Sequence, residues 1–142
     1  HLDIVVRIHD LFERVVVAVA DNPSKAPMFP IPERIDFIQE AVSNLPNVET
    51  DTFDGLLVDY AKEKPSKVII RGLRAVSDFE YELQMALMNR WLSHEIETFF
   101  MAPNAEFSFL SSGLVKEVAR HGGDIRNLVP ECVNKALQKK IP

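Results

Sequence analysis

Residues 67–90 constrain this chain more than any other stretch. Val68-Ile69-Ile70 is a short β-branched apolar run, the pattern of a strand buried on both faces. It leads into Arg71-Gly72-Leu73-Arg74, two guanidiniums flanking a glycine. Ser77 and Glu80 then stand at the spacing of a capping box, with Val76 and Tyr81 placed as its hydrophobic staple. Phe79, Leu83, Ala86, Leu87 and Arg90 follow at helical spacing and predict one mostly apolar face. The order is strand, cationic turn, helix. Ligands of open α/β sheets bind at the carboxyl ends of strands. Two arginines at such an end mark a candidate phosphate site, because guanidinium grips phosphate in bidentate fashion. They are as well placed to form surface ion pairs with Asp78 and Glu82, and this stretch alone leaves both readings open.

The rest of the chain supplies the frame. Ile4, Val5, Ile8, Leu11 and Phe12 predict a helix over 2–12. Residues 15–20, Val-Val-Val-Ala-Val-Ala, form a strand without a polar residue, as a central parallel strand requires. A loop with three prolines follows over 21–30, and Lys25 is its only cation. Pro32 opens a helix whose buried face is Ile35, Ile38, Ala41, Val42 and Leu45. A strand over 48–53, a helix over 56–64, a strand over 67–71 and a helix over 77–92 come next. The last elements are a strand over 97–101, a loop over 102–110, a helix opened by Ser111-Ser112-Gly113 and a helix over 130–139. Gly122-Gly123 separates those two helices. Such alternation predicts an α/β fold: one domain over 1–142, with a Rossmann-like parallel sheet and helices on both faces.

Composition narrows the function. The 142 residues carry a net charge of −5, which opposes a general nucleic-acid binder and requires any anion site to be local. Cys132 is the only cysteine, so there is no internal disulfide, and a reducing cytoplasm is the natural setting. No apolar run reaches the roughly 20 residues of a membrane span. No His, Cys, Asp and Glu cluster has metal-ligand spacing, so no metal ligands are predicted.

Four pieces converge on the predicted rim: Lys25, the arginine turn, the serine turn, and the start of the first helix at His1. Serines at a helix start offer hydroxyls and free N–H groups where the dipole also favours an anion. No nucleophile–base pair accompanies them. Cations, serines and a helix N-terminus suit phosphoryl or nucleotidyl transfer, which depends on positioning and charge stabilisation.

Three segments carry a family likeness. They are Pro23-Ser24-Lys25-Ala26-Pro27-Met28-Phe29, then Arg71-Gly72-Leu73-Arg74 with Asp78-Phe79-Glu80-Tyr81-Glu82, and Phe107-Ser108-Phe109-Leu110-Ser111-Ser112 with Val115-Lys116-Glu117. Together they resemble bacterial phosphopantetheine adenylyltransferase, of the nucleotidyltransferase superfamily in coenzyme A biosynthesis. The resemblance implies that ATP and 4′-phosphopantetheine give dephospho-coenzyme A and pyrophosphate with Mg²⁺, by in-line attack without a covalent intermediate. It implies that His1 stabilises the transition state. Lys25 and Arg71 would be catalytic and hold the phosphopantetheine phosphate, with Leu57 and Asn89 also contacting that substrate. His1, Gly72, Leu73, Arg74, Glu82, Phe107, Ser108, Phe109, Leu110, Ser111, Ser112 and Gly113 would line the ATP site. A cytoplasmic homohexamer, with coenzyme A as feedback ligand and neither nucleic acid nor membrane as partner, is expected on the same ground. Two departures stand out. Gly113 occupies a place where family members often carry a third serine. The family's opening strand and loop should precede His1; a sheet without that strand is expected to be poorly stable and to show little activity. The rival readings are a nucleotide- or coenzyme A-binding module inactive for that reason, or an adenylyl- or cytidylyltransferase with another phosphorylated acceptor.

Overall fold

A computed structural model gives the structure of residues 1–22, 27–74 and 76–141, without the side chains of Val76 and Ser77. Lys25 lies outside the described residues, and so does the capping and stapling expected of Ser77 and Val76. Among the described residues six α-helices and four strands follow one another: α1 Leu2–Ile8, β1 Val15–Ala20, α2 Ile31–Ala41, β2 Val48–Phe53, α3 Leu57–Glu63, β3 Val68–Gly72, α4 Val76–Leu92, β4 Glu97–Met101, α5 Ser112–Arg120 and α6 Glu131–Lys140. A 3-10 turn, Ala105–Phe107, interrupts the loop after β4.

Every strand pairing is parallel, as the alternation predicts. β1 lies beside β2 with Val15 opposite Val48 and Ala20 opposite Phe53. β3 lies beside β4 with Val68 opposite Glu97 and Gly72 opposite Met101. Among the described residues the strands form two two-stranded sheets rather than one continuous sheet. Each sheet has its own core. Val5 of α1 with Val42 and Leu45 after α2 covers the first, together with Val17 and Val48. Val58 and Ala61 of α3 pack with Ile69 of β3 and with Ile96, which is 2% exposed, over the second. Val115, Ile125 and Leu137 close a third core between α5 and α6, joined by Met28, Phe29 and Leu110.

α1 connects the two halves and ends earlier than its apolar spacing suggests. The Asn47 side-chain amide donates to the carbonyls of His9 and Phe12 at 2.6 and 2.9 Å. Those carbonyls are thereby satisfied without a further helical turn. In the first turn of the helix Asp3 accepts the Asn104 amide at 3.0 Å, and in its last turn Arg7 donates to the Ala102 carbonyl at 2.8 Å. Ile4 lies close enough to Gly72 that a Cβ there would meet its Cδ1 at 2.5 Å. The first helix is thus fastened to the chain leaving β4 and touches the end of β3.

A polar knot braces β2 against α3. Tyr60 donates to Asp51 at 2.9 Å, and Lys64 pairs with the same carboxylate. The Asp51 carboxyl is lowered to about 2, first by Lys64, then by the Thr52 amide and the Tyr60 hydroxyl. A carboxyl depressed on folding stabilises above its unfolded value of 3.8, and that contribution is lost as pH falls through about 2. Tyr60→Phe is expected to cost about 1 kcal/mol at neutral pH. Urea unfolding should show the deficit shrinking as the pH falls from 3.8 through about 2, the window in which Asp51 takes up its proton.

Candidate functional site

The rim is built where strands end. β3 delivers Arg71 and Gly72 in its last two positions, paired with Phe100 and Met101 of β4. The Leu73 amide continues the ladder to the Met101 carbonyl at 2.9 Å. This pins the arginine turn to the carboxyl edge of the sheet and projects its side chains towards α4 and the loop after β4.

Of the two readings of the arginines, the ion pairs are what the structure shows. Arg71 forms a bidentate pair with Glu82, Nε to Oε2 at 2.8 Å and Nη2 to Oε1 at 2.7 Å. This hydrogen bonding, opposed in part by burial, raises the Arg71 pKa further above its usual value, so the guanidinium is a fixed positive charge. Arg74 reaches Asp78 at 3.3 Å and also donates from Nη1 to the Leu110 carbonyl at 2.6 Å. That second bond joins the arginine turn to the residue immediately before the serine turn.

The serine turn behaves as its pattern predicts. Ser111 caps α5, its hydroxyl accepting from the Leu114 amide at 3.1 Å with extended backbone geometry, φ −132. Ser112 and Gly113 then present the first amides of the helix on the side of Arg74. A Cβ on Gly113 would meet only the Ser111 Oγ, at 3.8 Å, so a serine would fit there without strain. Phe107 ends the 3-10 turn, where the Ser108 hydroxyl donates to the Ala105 carbonyl at 2.8 Å. Phe109 is exposed, and Leu110 packs into the third core beside Met28 and Phe29. Met28 and Phe29, just before α2, thus pack on the same core as the residue before the serine turn.

His1 caps α1 without a side-chain bond. His1 stands close enough to Arg74 to feel its charge. Leu57 begins α3 just after β2 and packs on the second core. Asn89 is 7% exposed, inside the fold rather than on the open surface. Among the described residues, His1, Arg71, Gly72, Leu73, Arg74, Glu82 and the 107–113 segment share this rim, with Leu57 at the neighbouring strand end. Sequence reasoning missed Asp3 and Arg7, which hold the 102–104 chain in place from α1. Their partners lie 101 and 95 residues away, and no local pattern signals such a bond.

The apolar face expected of α4 is largely open: Phe79, Leu83 and Leu87 are exposed, as are Tyr81, Met85, Met88, Trp91 and Leu92. The stripe withdrawn from solvent is Glu82, Ala86 and Asn89, continued by Ser93 beyond the helix end. A helix apolar on most of its sides has no single preferred direction. The Arg71–Glu82 pair ties this inward stripe to the end of β3.

Among the described residues no three His, Cys, Asp or Glu side chains lie close enough to hold a metal ion, and no helix is long and apolar enough to cross a membrane. The sequence pattern of the cytidylyltransferase-like family matches residues 1–118. A protein of Alkaliphilus metalliredigens (strain QYMF) named phosphopantetheine adenylyltransferase is 55% identical over 140 residues. The match covers 99% of this chain and 89% of that relative.

Proposed function

This chain belongs to the cytidylyltransferase-like family and, within it, to the phosphopantetheine adenylyltransferases, and from that premise we propose how its rim works. The enzyme transfers the adenylyl group of ATP to 4′-phosphopantetheine. An oxygen of the substrate phosphate attacks the α-phosphorus in line. The bond from that phosphorus to the β-phosphate bridging oxygen breaks, and pyrophosphate leaves with its electron pair. A phosphate monoester has its second pKa near ~6 and is mostly dianionic at neutral pH, so no general base is required. The protein's part is to hold two polyanions together and to offset the charge that builds between them.

The observation that carries this reading is the Arg74 bond to the Leu110 carbonyl at 2.6 Å, which brings the arginine and serine turns to one place. Arg71, with Lys25, Leu57 and Asn89, holds the phosphopantetheine side. Gly72, Leu73, Arg74, Glu82 and the 107–113 segment hold ATP, whose triphosphate meets the first amides of α5. His1 donates to the transition state. Mg²⁺ fits this donor set only as an ion carried in by the triphosphate, since it prefers phosphate oxygens and water to an all-protein cage. When bound it offsets charge on the leaving pyrophosphate.

Residues 1–142 act as one nucleotidyltransferase domain in a cytoplasmic homohexamer, with coenzyme A as a feedback ligand. The outward apolar side of α4 supports self-assembly: Trp91 and Leu87 are 74% and 61% exposed, and Tyr81 and Met88 of the same helix are exposed as well. Large apolar side chains gathered in the open on one helix suit a contact surface.

The test is pyrophosphate release with ATP, 4′-phosphopantetheine and Mg²⁺, run beside CTP and beside a mononucleotide or polyol phosphate as acceptor. Release with ATP and phosphopantetheine alone is the expected result. No release with that pair, or preference for another acceptor, overturns the reading.

A further inference from the structure

The Arg71–Glu82 pair is unexpected in a site that must attract phosphate. Glu82 is the more enclosed partner, its side chain 14% exposed against 46% for Arg71. A shielded carboxylate beside a phosphate-binding guanidinium repels the incoming anion and cancels part of the attraction. An arginine kept only for affinity would be better without it.

The geometry gives the carboxylate a purpose. Arginine offers five N–H donors in a rigid plane. Glu82 takes the Nε and Nη2 edge with two short bonds, which locks the plane of the guanidinium. The end-on edge, Nη1 with the second hydrogen of Nη2, lies outside this fork and is the one with room for two parallel bonds to a phosphate. Glu82 is itself held, since it lies on the inward stripe of α4 beside Ala86 and Asn89.

We propose that Glu82 is a positioning residue for Arg71, fixing its guanidinium so that the end-on edge meets the phosphate of the pantetheine substrate, while its charge keeps that phosphate from being held too tightly. Binding strength is thereby exchanged for orientation, and only interactions stronger in the transition state than in the ground state accelerate the reaction. This rests on the reading of Arg71 as a phosphate ligand. It differs from a contact of Glu82 with ATP, because the effect must pass through Arg71.

The experiment is a double-mutant cycle with Glu82→Gln and Arg71→Ala, measuring kcat and KM with both substrates, and the Kd of 4′-phosphopantetheine by calorimetry. Glutamine keeps the shape and one acceptor oxygen and loses the charge. In Glu82→Gln the phosphopantetheine Kd is expected to tighten about fivefold and kcat to fall about tenfold. In the Arg71→Ala background the same change should still relieve the repulsion felt by the phosphate but leave kcat unaltered. A general structural defect would weaken binding rather than tighten it. The proposal is overturned if Glu82→Gln weakens phosphopantetheine or acts only on ATP, and equally if its effect on kcat persists without Arg71. Wild-type pyrophosphate release separates the two levels. An active wild type with an uncoupled cycle removes only the role of Glu82, whereas an inactive wild type removes the catalytic reading and this proposal with it.

Discussion

Arg71→Ala is expected to lower kcat/KM for 4′-phosphopantetheine by about 10²–10³-fold, the range seen when one preorganised donor to a developing charge is deleted. Two losses combine in that figure. The phosphate loses a planar, permanently charged partner, and Glu82 is left as an uncompensated carboxylate facing the same space. The fold should tolerate the change. Arg71 is half exposed, so the pair contributes about 1 kcal/mol after solvent screening, and the unfolding midpoint should fall by roughly 3 °C. Arg71→Lys keeps the charge but not the fork and should fall between the two, because a lysine cannot satisfy a carboxylate and a phosphate along two fixed edges. Steady-state kinetics beside a thermal melt decides the matter. Unchanged kcat/KM in Arg71→Ala would take this residue out of the site.

The second large effect concerns assembly. Leu87→Glu together with Trp91→Glu is expected to reduce the particle from a multimer to a single chain in light scattering, with the circular dichroism unchanged. Both side chains face outward, so charging them costs the lone chain little. Burying them against a neighbour gains about 1.5–3 kcal/mol each when complete, and two carboxylates there would cost more than that gain. A wild-type chain that runs as a monomer at micromolar concentration would end the assembly reading, and so would a double variant that keeps the multimer.

How much could be read beforehand depended on where the decisive partner lay. The strands β1 and β3 were legible because an all-apolar β-branched run has few other uses. The α5 start was legible because a serine before an apolar helical pattern is a local signal, and Ser111 does cap it. Even the meeting of Arg74 with the 107–113 segment followed from a rule of topology, that strand ends share an edge. The roll of α4 was not legible. Its sequence is apolar in several directions, and its inward stripe carries Glu82, whose partner is a strand residue that no helical period signals. The early end of α1 was hidden for a similar reason: its carbonyls are satisfied by Asn47, which belongs to another element. The single sheet expected from the alternation is two paired sheets among the described residues, since alternation fixes strand direction without fixing which edges meet. The place of Lys25 in the site remains part of the proposal, as the described residues do not include it.

Arg7 is synthesised 95 residues before the carbonyl it will hold, and Asp3 101 residues before its amide. Bringing such distant points together is slow and entropically costly until the segments between have condensed. The clasp on the rim is therefore a late event in the life of a nascent chain. The loop that leads to the serine turn takes its working shape only when α1, made long before it, has docked against it.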